Sequence, residues 1–228
     1  MAKPAADETA WRYERKFVVA GHDARAVEQI VRLHPALLRQ PYPPRYVNNL
    51  YFDRVDRRAF WDSVDGVEER TKVRARWYGA AQGTVDANLE FTITDGRVGR
   101  KEIYALPPFV LGERIARRAA VQWLLAGTLS ATARERAAAL EPVLINRYAR
   151  RYFATPDGLV RLTVDADLEF RHLGAGGFVR RPVPERLPIV VVELKYAPEH
   201  EALARAVSDA LPFRLGRNSK FVTGLERW

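Results

Sequence analysis

Apolar and polar residues alternate with a period of two through much of this chain, the signature of half-buried strands. Eight segments combine that alternation with β-branched or aromatic residues, near 11–19, 46–53, 69–78, 87–94, 99–105, 145–154, 159–170 and 189–196. Helical spacing occupies about 23–39, 113–126, 131–140 and 199–210, with Asp23 placed to cap the first helix. Asp95-Gly96 joins the fourth and fifth strands as a hairpin, because this pair tolerates the backbone of the favoured two-residue turns. The stretch 172–188 carries Gly174, Gly176, Gly177 and three prolines and reads as an exposed loop. No repeat, low-complexity tract or linker divides the chain. The pattern predicts one α+β domain over 11–228 behind a disordered tail at 1–10.

The alternation has chemical content. Residues i, i+2 and i+4 of a strand share a face. Arg70, Lys72, Arg74 and Arg76 therefore lie together, opposite Val73 and Trp77. Glu90, Thr92 and Thr94 oppose Leu89, Phe91 and Ile93, while Arg161, Thr163 and Asp165 oppose Leu162 and Val164. Glu193 and Lys195 oppose Val192 and Leu194; Glu14 and Lys16 oppose Tyr13, Arg15 and Phe17; Tyr148, Arg150 and Tyr152 share one face. A sheet with one solvated face also alternates in this way. Four cations stacked on one strand face repel each other, however, unless an anion stands opposite. Closing eight strands into an antiparallel barrel puts the ionic face inside and the apolar face under flanking helices. Such a bore suits a linear, highly charged polyphosphate, whose hold is strengthened by field focusing between low-dielectric walls.

Composition narrows the partners. The net charge of +9 over 228 residues implies an anionic one, whether nucleic acid, membrane surface or small polyanion. No helix-turn-helix, zinc-finger or RNP pattern occurs, so nucleic acid is not expected. The absence of cysteine excludes disulfides and thiol chemistry. No run approaches the roughly 20 apolar residues of a membrane span, and residues 1–10 lack an apolar signal core. The expectation is a cytoplasmic protein. Only six of the 37 basic residues are lysine, at 3, 16, 72, 101, 195 and 220. In a chain so rich in arginine, lysine marks places where a compact point charge serves better than a fork. His22, His34, His172 and His200 show no metal-ligand spacing and are expected at the surface, and Arg114, Arg117, Arg118, Arg134 and Arg136 on solvated helix faces. Trp77, Tyr78, Tyr152 and Phe153 are expected to pack. Asp165 is left open between a metal ligand and a turn anchor.

Nine segments now carry a resemblance. They are R-Y-E-R-K-F at 12–17, N-L-Y-F-D at 49–53, R-T-K-V-R-A-R-W-Y-G at 70–79, L-E-F-T at 89–92, G-R-K-E at 99–102, N-R-Y-A-R-R-Y-F at 146–153, V-R-L-T-V-D at 160–165, V-E-L-K at 192–195 and R-N-S-K-F at 217–221. In this order they resemble the triphosphate tunnel metalloenzymes (CYTH-like), and within them the VTC-type polyphosphate polymerase domain. The resemblance implies that Lys16, Arg74, Arg76, Arg150, Arg161, Lys195, Arg217 and Lys220 bind phosphate, with Tyr148 and Ser219 as polar auxiliaries. Arg70, Lys72 and Lys101 join them as substrate-binding candidates. Glu193 is implied as the metal-coordinating glutamate, assisted by Glu14 and Glu90, with Mn²⁺ or Mg²⁺ as the cofactor. The implied partners are a nucleoside triphosphate and inorganic polyphosphate. One departure stands out: the family's usual E-x-K in the fourth strand is here Glu90-Phe91-Thr92, and Lys101 on the partner strand is expected to stand in. Physical reasoning leaves three activities open: polymerase, triphosphatase, and a binding module without turnover.

Overall fold

The computed structural model describes residues 10–21, 23–112, 115–173 and 185–226. In chain order the elements are β1 (Arg12–Ala20), α1 (Ala24–Arg32), β2 (Arg45–Asp53), α2 (Arg58–Asp65), β3 (Glu69–Tyr78) and β4 (Gly83–Val85). There follow β5 (Asn88–Asp95), β6 (Val98–Ala105), β7 (Phe109–Leu111), α3 (Arg117–Leu125), α4 (Ala131–Ala138), β8 (Glu141–Ala154) and β9 (Val160–His172). The chain closes with β10 (Glu185–Leu187), β11 (Ile189–Tyr196), a 3₁₀ turn (Pro198–His200), α5 (Glu201–Asp209) and α6 (Lys220–Leu225). Eight antiparallel strands run β9-β11-β1-β6-β5-β3-β2-β8, and β8 pairs back onto β9, which closes the barrel. β10 extends from β9, while β4 and β7 form a separate ribbon.

All eight predicted strands are present, and local chemistry explains most of the differences. Asp23 caps α1 by accepting from the Ala26 amide at 2.6 Å, yet the helix stops at Arg32 instead of running to 39. Pro35 is the reason, since the residue before proline is driven out of the helical region. α2 was not anticipated. The buried Asp53 carboxylate accepts from the amides of Arg54, Ala59 and Phe60 and so organises its start, and Gly66 ends it in the left-handed conformation. The short strands β4, β7 and β10 were also unforeseen. Of the predicted tail, 1–9 lies outside the described residues, as do His22, Arg114 and residues 174–184 of the predicted loop. No helix among the described residues is long and apolar enough to cross a membrane.

Two of three apolar clusters lie outside the barrel. Leu50, Trp77, Leu89 and Phe91 pack under Trp123 and Leu124 of α3 and Ala133 and Ala137 of α4. Phe17, Leu162, Val192 and Leu194 pack under Val27 and Val31 of α1 and Ala204 and Val207 of α5. Each buried Val, Leu or Phe side chain here contributes about 1.5–3 kcal/mol, so the outer layers can support the barrel and leave its lumen free for charge. His34 belongs to this packing: it is buried, its Nδ1 accepts from the Ala36 amide, and its Nε2 lies 3.0 Å from the Val207 carbonyl. His172 is buried too. Both depart from the expected surface placement.

The third cluster corrects the expectation of an ionic lumen throughout. Tyr51, Leu144, Phe170 and Val191 share the inward parity of the strands and enclose Phe221 and Leu225 of α6. The C-terminal helix is thus inserted into one part of the barrel. Gly224 permits this, because a Cβ there would lie 2.5 Å from the Leu144 side chain and 2.6 Å from Phe170.

Candidate functional site

The rest of the lumen is a cavity of about 100 Å³. Eight cations line it: Lys16 from β1, Lys72, Arg74 and Arg76 from β3, Lys101 from β6, Arg150 from β8, Lys195 from β11 and Lys220 from α6. Tyr51 and Phe221 supply apolar wall, and Tyr148, Thr92 and Ser219 supply hydroxyls. Strand pairing dictates this convergence, because residues directly opposite in an antiparallel ladder share a face. Glu14 opposes Lys195 and Lys16 opposes Glu193 between β1 and β11. Arg74 opposes Glu90 between β3 and β5. Lys220 arrives differently: Ser219 caps α6 by accepting from the Val222 amide, and the next residue projects into the cavity.

Four carboxylates offset part of the charge, leaving an excess of up to four positive charges. Asp165, fully buried, accepts from Arg150 Nε and Nη2, both at 2.6 Å, and pairs with Lys220 Nζ at 2.6 Å. Its ambiguity resolves to a buried counter-ion, and its parity with Arg161 and Thr163 was the available signal. Glu193 accepts from Lys220 at 2.8 Å and from Arg150 at 3.1 Å. Burial opposes its ionisation, but Lys220, Lys195 and Arg150 outweigh that and hold it well below the ordinary carboxylate value. Glu14 lies 3.1 Å from Lys195 and 3.2 Å from Lys16. Burial again opposes, yet these lysines hold its carboxyl down at about 2. Glu90 stands behind Arg74, at 2.9 Å from Nε, and lies 3.2 Å from Lys101.

Four sequence candidates do not line the cavity: Glu90, which stands behind Arg74, and three arginines. Arg161 opposes Lys195 in register but is exposed and does not line it. Arg217 is exposed in the segment before α6. Arg70 turns away to donate to the Val67 carbonyl at 2.7 Å. The parity rule placed Arg70 and Arg161 on the correct face but could not say that their rows lie beyond the enclosed part of the bore.

The glutamates do not form one metal cluster. Among the described residues no group of three or more His, Asp or Glu side chains is placed to hold a cation, and Glu90 is committed to Arg74 and Lys101 on a different wall. Glu14 and Glu193 are the remaining pair, with 34% of the Glu14 side chain open to solvent. Two carboxylates among several ammonium groups fit a hard, oxygen-loving ion only if phosphate oxygens complete its shell and offset the cations.

Thr92 sits between Lys72 and Lys101 in a single row across β3, β5 and β6. Lys101 thus stands directly across the ladder from Thr92. A third ammonium at 92 would crowd this row. Burial, then Arg74, Arg76 and Lys195, already push Lys101 well below its ordinary value against the pull of Glu90. Lys72 makes no ion pair or side-chain hydrogen bond among the described residues, and burial together with Lys16 and Arg70 pushes it down to about 7. Its folded value lies below its unfolded one. Burying its charge therefore costs stability below pH 7, and the cost disappears as pH rises towards 10.5. Lys72→Met is expected to stabilise the protein by about 1–2 kcal/mol at pH 6.5 after allowance for solvent screening. Urea denaturation should show the difference shrinking by pH 9.5; a pH-independent difference would remove the charge explanation.

Comparison with known proteins follows from this geometry. A family model described as the VTC domain matches residues 11–228. Among curated proteins none matches in sequence. A proposed adenylate cyclase from Vibrio parahaemolyticus superposes with TM-score 0.50 at 15% identity, over 94% of this chain and 98% of its own. The PH1819 protein of Pyrococcus horikoshii OT3 superposes with TM-score 0.51 at 12% identity, over 95% and 99%. A proposed adenylate cyclase from Bacillus halodurans gives 0.51 at 12% identity, over 91% and 93%. At these identities the likeness speaks to the fold, a closed antiparallel tunnel.

Proposed function

The chain belongs to the VTC domain family, and from that premise we propose that it is a phosphotransferase that lengthens inorganic polyphosphate inside its bore, with a nucleoside triphosphate as donor. Residues 11–228 would act as one domain. The observation that carries this reading is the ring of eight inward cations against four carboxylates. Such an excess calls for a polyanion of several charges; a single orthophosphate, with about two negative charges near neutral pH, would leave about half of it unbalanced.

In this reading Arg74 and Arg76 lay their forks on non-bridging oxygens, while Lys16 and Lys195 act as point charges. Arg150 and Lys220 are held rigid by Asp165 and Glu193. Lys72 and Lys101 regain full charge when an anion enters. Glu14 and Glu193 would hold Mn²⁺ or Mg²⁺, which would supply positive charge against the charge that develops during transfer. The terminal phosphoryl group leaves its bridging oxygen on the nucleoside diphosphate and bonds to the terminal oxygen of the chain. That acceptor is already anionic, so no proton need be removed; positioning and charge stabilisation suffice. Hydrolysis would need a base to activate water. Glu14, at about 2, and Glu193, well below its ordinary value, are poor bases, which favours transfer over hydrolysis.

The protein incubated with ATP and Mn²⁺ or Mg²⁺ is expected to make an acid-labile phosphate polymer and ADP. Glu193→Gln is expected to abolish most of this turnover. Orthophosphate without polymer would make the protein a triphosphatase. Tight binding of polyphosphate with neither product would make it a binding module.

A further inference from the structure

At one rim of the barrel, where β2 begins and β3 and β8 end, Arg45 lies between two aromatic rings. Its guanidinium carbon is 4.3 Å from the Tyr78 ring centre and 4.9 Å from that of Tyr152. Its Nε donates to the Tyr152 hydroxyl at 3.0 Å. Tyr152 is wedged in turn by Tyr42, edge-on at 5.7 Å. Arg45 opposes Arg150 directly in the ladder between β2 and β8, and Tyr78 is the next residue of inward parity after Arg76. The stack therefore borders the cation-lined cavity without lining it.

Packing alone does not account for this arrangement. Arg45 has no carboxylate partner among the described residues, although it sits opposite a second arginine. Tyr78 is covered on one side by Arg45 and is nevertheless 41% exposed, so part of the residue stays open to solvent at the edge of the bore. A flat aromatic group attached to a polyanion would find a stacking surface there while its phosphates occupy the cavity.

We propose that Tyr78, backed by Arg45 and Tyr152, is a stacking platform for the nucleobase of a nucleoside triphosphate whose phosphates lie in the bore. Stacking is tolerant of base identity, because every base has a π-face. The platform thus recognises nucleotides as a class and adds affinity that an inorganic triphosphate lacks. The inference rests on the reading of the bore as a triphosphate site and adds the nucleoside subsite to it.

The test compares ATP with inorganic tripolyphosphate by calorimetry at one ionic strength, in the parent protein and in Tyr78→Ala and Tyr78→Phe. Tyr78→Ala is expected to weaken ATP about tenfold or more, the scale of one lost base stack. It should leave tripolyphosphate within about twofold, and Tyr78→Phe should keep the parent affinity for both. Tyr78 is half-exposed at a strand end, so folding should survive; unchanged tripolyphosphate binding checks that directly. Equal weakening of both ligands, or of neither, would overturn the platform while leaving the bore intact. Failure of the parent protein to bind either ligand would overturn the triphosphate reading itself, and the platform with it.

Discussion

Asp165→Ala is expected to lower the unfolding free energy by about 3–5 kcal/mol, the range for removing one partner of a buried ion pair. The carboxylate is inaccessible to solvent and neutralises Arg150 through two hydrogen bonds and Lys220 through a third contact. With it gone, two buried cations share only Glu193. Asp165→Asn keeps the shape and one acceptor but turns an amide towards a cation, so it should lose somewhat less. Replacing the remaining charge is the sharper check. Lys220→Met in the Asp165→Asn background should recover part of the loss, because buried ion pairs exchanged for well-packed apolar groups are often neutral in stability. Chemical denaturation measures all four proteins. A loss below about 1 kcal/mol in Asp165→Ala would mean that water or an anion replaces the carboxylate.

Glu90→Gln is expected to act on stability and binding in opposite directions. Glu90 is buried and faces Arg74 at 2.9 Å, Lys101 at 3.2 Å and Arg76 at 3.7 Å. Burial opposes its ionisation, but Arg74, Arg76 and Lys101 hold it well below the usual value. A depressed carboxylate stabilises the fold above its unfolded value and loses that contribution as pH falls. The amide should therefore cost about 3 kcal/mol at pH 7, and its acid limb should be flatter than the parent's below about pH 4. The same change adds one uncompensated charge to the bore, so tripolyphosphate should bind about tenfold tighter. Saturating ligand should then raise the melting temperature of Glu90→Gln more than that of the parent, by mass action. Weaker binding would show that Glu90 chiefly orients Arg74 and is no mere counter-charge.

These expectations explain why so much of the site was legible beforehand. Strand parity is a local rule, and it placed Lys16, Arg74, Arg76, Arg150 and Lys195 on inward faces before any fold was known. The lysine positions carried further information, since five of the six lie in the cavity lining. The hairpin at Asp95-Gly96 and the cap at Asp23 follow from backbone preferences that need no tertiary partner. Local signals misled where a neighbour overrode them. Pro35 ended α1 early, and His34 looked like a surface residue until the Val207 carbonyl in α5 took up its ring nitrogen.

What the sequence alone determined was the alternation of charge and apolarity, and with it the choice of an ionic lumen under an apolar coat. Closure decided the rest. Shear between strands determines which rows meet at one depth, so Arg70 and Arg161 share the inward face and still miss the cavity. The same closure gathers Glu14 and Glu193 while leaving Glu90 with Arg74 on another wall, a separation that spacing along the chain does not encode. Only tertiary packing reveals that α6 enters the barrel. Six residues are too few for a periodic signal, and their place depends on the space beside Gly224, between Leu144 and Phe170. The charge state of Lys72 belongs to this second class as well. A lysine falls to about 7 only when folding strips its water and sets Lys16, Arg70 and Arg74, from two strands, beside it.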